Sequence, residues 1–215
     1  MRNSNLLIDE LHFGFRTNNI SSELINSIVD LTKNGNFTAA WHPVAGFIYL
    51  NIGSRGSYNY RFHIWHPNGT KIYKYYSWPI IHQHRWTLNS YVVKGEIVND
   101  IYEVNNSPDH PTHSLYRVEH KSSEDRFLPC NENVTVALNS STHYLTGQFY
   151  EVRTNQFHST KHANESIGAT LIQTNSISSK SKVVGPLSGV IHPMIRVACS
   201  KSDLEYYLEL LRKSL

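Results

Sequence analysis

The residues best suited to chemistry in this chain are histidines. His82-Gln83-His84 stands at the head of an apolar run that turns at Lys94-Gly95-Glu96. Alternate residues of a strand point to one face, so His82 and His84 can aim two imidazoles at a single point. About seventy residues later a second short motif runs from Gly147 to Phe157-His158. A third imidazole delivered to that point from a separate strand would complete a facial site for a metal ion. Any one of the thirteen histidines is by default a packing or surface residue. What distinguishes His82, His84 and His158 is their strand context. His162 suits a rim position or a hydrogen-bonding support for a ligand. His66, His110, His113, His143 and His192 are read as surface or packing residues.

The elements that must position these side chains are mostly strands. From Ala39 to about Ser176 short runs rich in Tyr, Ile, Val, Phe and Trp alternate with Gly, Pro, Asn and Ser clusters. Strands are expected at 46–52, 58–66, 89–94, 96–104, 113–119, 132–138, 148–153 and 168–174, a spacing that suits a double-sheet jelly roll or a barrel. Residues 1 to about 20 show no clear period. Ser21-Ser22-Glu23 then opens a helical pattern that stops at Asn34-Gly35-Asn36. The stretch Ile177–Leu187 is Ser/Lys-rich and reads as a surface connection. A C-terminal helix is expected over about 202–214. There Ser202 and Glu205 have capping-box spacing, and Leu204, Tyr207, Leu208 and Leu211 share a face. That stripe is expected to pack on the barrel, a homodimer contact being the alternative. The whole chain, 1–215, reads as one domain: a helical N-terminal segment at 1–38, a β core at about 39–176 and the C-terminal helix.

Composition narrows the partners. Hydrophobic content of 40% and charged content of 17% fit a globular protein. Thirteen tyrosines against eight phenylalanines favour half-buried strand faces and polar cavities. A net charge of +3, with no basic stripe, argues against nucleic acid. No run is long and apolar enough to suggest a membrane span. Cys130 and Cys199 form neither a disulfide framework nor a C-x-x-C pair. With no secretory pattern in the first twenty residues, the expectation is a reduced, cytoplasmic protein.

Taken together, the two histidine motifs resemble those of the cupin superfamily. The first such motif carries a His-x-His pair followed by a glutamate and a closing glycine. His82 and His84 match, and Gly95 matches the closing glycine to within one position; Tyr76 stands at the opening glycine and Asn89 at the glutamate. In the second motif Gly147 and His158 match the ends, Arg153 replaces the proline, Asn155 the glycine, and His162 sits at the final asparagine. Asn readily adopts the left-handed conformation needed at that glycine. The resemblance covers about residues 45–175 and implies an all-β cupin double-stranded β-helix, a jelly roll, with flanking N- and C-terminal helices. It further implies His82, His84 and His158 as metal ligands. With Asn89 in place of the carboxylate, three neutral imidazoles would leave the ion its full charge and open positions. That favours Fe(II), with Ni, Mn or Zn as other candidates, and an anionic or chelating substrate together with O2.

The missing glutamate is shared with the thiol dioxygenases, and the run Tyr58–Trp65 before the first motif is similar in layout to theirs. Their Ser-x-His-x-Tyr set has no counterpart in Thr170-Leu171-Ile172-Gln173-Thr174, which argues against cysteine itself as substrate. The resemblance therefore implies an iron-dependent oxygenase acting on a small polar molecule. A metal-dependent isomerase, epimerase or lyase on a sugar or organic acid is the first alternative, and a non-enzymatic ligand-binding cupin the second. For substrate contacts, Arg61 could grip a carboxylate while His63, two residues on, serves as acid or base. The opposite parity, Tyr60, Phe62 and Ile64, is more apolar and equally able to face inward; periodicity leaves both open. Arg85 and Trp86 flank the ligands, Trp86 as a pocket wall. Tyr91 follows Asn89 in parity and is a catalytic candidate if that side meets the metal. Arg153, on the turn before His158, is a second candidate anion anchor.

Overall fold

The computed structural model describes residues 4–35, 37, 39–41, 46–65, 81–120, 124–163, 166–175, 181–195 and 197–215. Helix α1 (Ser4–Thr17) forms where the sequence shows no clean period. Leu7, Ile8, Leu11 and Phe15 do make one buried stripe, but exposed Leu6 and Phe13 on the other faces blur it. Helix α2 (Ser22–Asn34) begins as expected: Ser21 Oγ accepts from the Leu24 amide at 3.2 Å. Gly35 ends it, donating to the Leu31 carbonyl at 2.8 Å. Helix α3 (Lys201–Ser214) is capped by Ser200 rather than Ser202; Ser200 Oγ accepts from the Asp203 amide at 3.0 Å. Arg212 to Asp30 and Lys33 to Glu209, each at 3.0 Å, tie α3 to α2. Among the described residues no helix is long and apolar enough to cross a membrane.

The rest is β. Strands β1 (Ala39–Trp41), β2 (Phe47–Arg55), β3 (Tyr58–Trp65), β4 (His82–Gln83), β5 (Leu88–Lys94), β6 (Glu96–Asn106) and β7 (His113–His120) precede a 22-residue strand, β8 (Glu124–Leu145). Then come β9 (Phe149–Val152), β10 (Phe157–His162), β11 (Gly168–Asn175), β12 (Lys182–Gly185), β13 (His192–Ile195) and β14 (Val197–Ala198). They form two antiparallel sheets, β14-β1-β2-β3-β11-β5-β9 and β13-β8-β6-β10-β4-β12-β7, a jelly-roll-type sandwich with flanking helices. The second sheet also closes on itself, because β8 pairs with β7 through its first half and with β6 through its second.

Two expectations change. The 132–138 strand is the middle of the much longer β8. The Ser/Lys-rich connection contains β12, which is bracketed by β4 and β7 and buries Val183 and Val184. Two consecutive valines can be buried there because both faces of the curled sheet are covered; residues 177–180 of that stretch, like His66 and Tyr76, lie outside the described residues.

Three apolar clusters follow from strand alternation. On the outer face of the first sheet Tyr60, Phe62, Ile64, Tyr91, Val93 and Leu171 pack against all three helices. Between the sheets Trp65, Leu88, Val92, Ile172, Tyr150 and Val152 meet Ile97, with Trp86 packed against them. On the other face of the second sheet Ile81, Leu115, Val134 and Val184 gather with Phe157. A side chain of this kind contributes about 1.5–3 kcal/mol when fully buried. The scaffold therefore has ample apolar stabilisation apart from its polar sites.

Candidate metal centre

The three histidines converge from β4, its continuation and β10. His158 is the direct cross-strand partner of His82, so pairing alone places both rings on one face. His84 follows by strand parity. Its carbonyl accepts from the Asn155 amide at 3.1 Å, which fastens the His84 backbone to the turn leading into β10. Asn155 holds φ at 64°, the left-handed conformation expected of the residue at the motif's glycine. Thr87 strengthens the junction, its amide donating to Asn175 Oδ1 and its hydroxyl meeting that of Thr154, both at 3.1 Å.

The ring geometry suits an ion. His82 Nε2 and His84 Nε2 are 3.2 Å apart, close to the separation of about 3 Å expected when two imidazole nitrogens each bind one metal at about 2.1 Å. One ligating atom from each of His82, His84 and His158 can be chosen so that all lie within 4.8 Å of one another. The His158 ring is 4.5 Å from that of His82 and 5.2 Å from that of His84, centroid to centroid.

His158 supplies the clearest indication. It is only 3% exposed, and its Nδ1 is 2.9 Å from Asn99 Oδ1. An amide oxygen can only accept, so Nδ1 carries the proton and Nε2 presents a lone pair. That Nε2 is buried and has no hydrogen-bond partner in the protein. Burial, and next the charge of His82, hold the ring well below the ordinary histidine range, which keeps it in the neutral form that ligates. A buried acceptor without a partner costs about 1–3 kcal/mol; a cation among the three rings would remove that cost. The donor set fits a divalent transition metal.

Of the substrate candidates, the structure gathers some and separates others. Arg61, His63 and Trp65 share the inter-sheet face, while Tyr60, Phe62 and Ile64 face the helices. His63 stacks on Phe47, rings 4.3 Å apart. The Arg61 guanidinium lies 5.3 Å from the Trp86 ring, and Trp86 in turn stacks on His84 at 5.4 Å. Arg85 is exposed, its guanidinium 5.2 Å from the same indole. The Trp86 Nε1–H is buried without an acceptor.

Tyr91 is a correction. It lies on the helix side of the sheet, packed against Phe149 at 4.7 Å, and burial raises its phenol pKa. Asn89 has the same orientation and donates to Gln173 Oε1 at 3.3 Å. The residues of that strand facing between the sheets are Leu88, Ser90 and Val92, so β5 brings no carboxylate to that side. Arg153 is also displaced from the site: its side chain is 82% exposed and its Nε pairs with Glu151 at 3.3 Å. Asn99 is the site residue that sequence reading missed. A polar pair, Asn99-Asp100, interrupting the apolar run Ile97-Val98…Ile101 was its available signal.

His162 is held differently. Its Nε2 lies 2.5 Å from where a Cβ on Gly95 or on Gly168 would sit. Both positions must lack a side chain for the ring to fit, and Gly95 also has φ at 88°.

Fold and site together define a jelly-roll-type β-sandwich carrying a three-histidine centre. No family model and no curated protein matches the chain. Among solved structures, one provisionally described as a sugar phosphate isomerase from Acidithiobacillus ferrooxidans superposes with a TM-score of 0.38 at 10% identity, covering 84% of this chain and 93% of that one. A superposition that loose does not transfer chemistry.

Proposed function

We propose that this is a cupin-type metalloenzyme that binds one divalent ion, Fe(II) foremost and Ni, Mn or Zn otherwise, through His82, His84 and His158. We read it as an oxygenase that brings O2 together with a small polar, anionic substrate. The observation that carries the reading is the buried, partnerless Nε2 of His158, aimed with its neighbours at one point while Asn99 fixes the proton on the opposite nitrogen. The chemistry supplied by such an ion when bound is Lewis-acid polarisation of a chelating substrate and, for iron, electron transfer with O2.

The chain's own residues would do the rest. Three neutral ligands leave a positive centre inside a low-dielectric interior, and Arg61, next to Trp86, adds a second positive group on the same side. Arg61 orients a carboxylate, the Trp86 N–H offers a hydrogen bond to a substrate oxygen, and the apolar residues around Trp86 exclude water. His63, stacked on Phe47 on the same inter-sheet face as Arg61, would serve as the acid or base. Arg85 lies at the rim.

The test is to load metal-free protein anaerobically with each ion, measure bound metal, and follow O2 uptake with matched small acids, amides and amines. One bound ion per chain, and O2 uptake that depends on an acid, is the expected result. A chain that takes up no metal overturns the reading. Product formation from an acid or sugar without O2 uptake replaces the oxygenase with an isomerase, epimerase or lyase.

A further inference from the structure

We infer that Asn99 sets the charge of the metal centre: it orients the third ligand as a carboxylate would, while contributing no negative charge, and so tunes the site toward anions. The inference rests on the metal-centre reading above. Asn99 is 3% exposed on β6, and its Oδ1 accepts from His158 Nδ1 at 2.9 Å and from Thr160 Oγ1 at 3.3 Å. Partners of this kind fix the tautomer and rotation of a metal-binding imidazole. A carboxylate in the same place would hold the ring equally well but would cancel one of the ion's two charges at close range.

The neighbouring residue shows how the chain separates the two roles. Asp100 is a buried carboxylate one position along, and strand alternation turns it to the opposite face. There it accepts from Ser141 Oγ at 2.5 Å and from Lys161 Nζ at 3.3 Å. A one-residue offset thus places an amide against the histidines and a charge behind them. Orientation without neutralisation leaves the ion's full charge available to an incoming anion.

The experiment uses the full chain loaded with Co(II), read by its visible spectrum, with chelator competition for metal affinity and azide as the anion probe. Asn99→Leu removes the acceptor at similar volume and is expected to weaken Co(II) binding by about ten- to a hundredfold. Asn99→Asp restores the acceptor: it is expected to hold Co(II) at least as tightly as the parent and to bind azide about tenfold more weakly. Tight Co(II) binding by Asn99→Leu overturns the positioning role, and unchanged azide affinity in Asn99→Asp overturns the charge role. If Asn99→Leu does not fold, Asn99→Asp still decides the charge role. A parent protein that binds no Co(II) overturns the underlying metal centre instead, an outcome distinct from either.

Discussion

Two buried polar clusters lie on either side of the first sheet, one toward the helices and one between the sheets, and they end differently. On the helix side of the first sheet, Asn89 Nδ2 donates to Gln173 Oε1 at 3.3 Å and Gln173 Nε2 to the Tyr60 hydroxyl at 3.1 Å. That hydroxyl meets His12 Nδ1 at 2.6 Å. None of these residues leaves a buried polar atom without a partner, and the run ends on His12 of α1, so it serves to dock that helix. The histidine cluster starts alike, with Asn99 and Thr160 around His158 Nδ1, and then stops at a buried Nε2 with none. Buried polar groups in proteins are nearly always satisfied. The closed chain is explained by stability; the open one is what the proposed metal ion would complete.

The comparison can be broken most decisively at the open end. His82→Ala, His84→Ala and His158→Ala should each lower metal affinity by at least about a hundredfold while far-ultraviolet circular dichroism stays unchanged, since the apolar clusters do not depend on the ion. Two of the three binding metal at the parent level would remove the site. At the closed end Tyr60→Phe should do the reverse. Chemical denaturation is expected to show a loss of about 1–3 kcal/mol, from stranding buried partners, with metal content intact. Asn89→Ala, at the outer end of the same chain, should cost about 0.5–1.5 kcal/mol and leave metal bound. Metal loss in that variant would mean that the two clusters communicate through the sheet.

The smallest effect is in pH. Burial, then His82, depress His158 well below 6.5, and burial, then Arg55 and Arg16, lower His12 more modestly. The unfolded chain therefore binds these protons first as pH falls below about 6.5. Over that window the unfolded state holds more protons, so the metal-free protein loses stability on acidification and regains it toward neutrality. Urea midpoints measured from pH 7 to 5 should fall, and His158→Gln should flatten the slope more than His12→Asn.

Much of this was legible in the residues. The His-x-His parity, the left-handed Asn155 and the caps at Ser21 and Gly35 follow from local stereochemistry, which short spacings record faithfully. The strands expected between 46 and 174 were visible as runs of Tyr, Ile, Val, Phe and Trp set between Gly, Pro, Asn and Ser clusters. What escaped reading depends on partners distant in sequence. Helix α1 has its buried stripe masked by Leu6 and Phe13, whose exposure only the packed structure reveals. Strand β12 gains its identity from pairing with β4 and β7. Tyr91 was placed by aligning Asn89 with a glutamate, yet parity turns both residues to the helices and leaves Leu88 facing the core. Whether Arg61 or Tyr60 pointed inward was undecidable by period alone; the three helices settle it by covering the Tyr60 side.

The glycine seat of His162 has a consequence in time. Gly95 belongs to the turn between β5 and β6, Gly168 opens β11, and His162 closes the strand that carries His158. The ring has nowhere to settle until the hairpin has formed and β11 has found its neighbours, and contacts that close long loops form slowly. Strand β10 is therefore expected to lock late, and the proposed competence to hold an ion to arrive with it rather than to guide folding. In stopped-flow refolding with Co(II) present, the visible signal should trail the backbone signal; simultaneous arrival would show that the ion instead helps to draw the strand in.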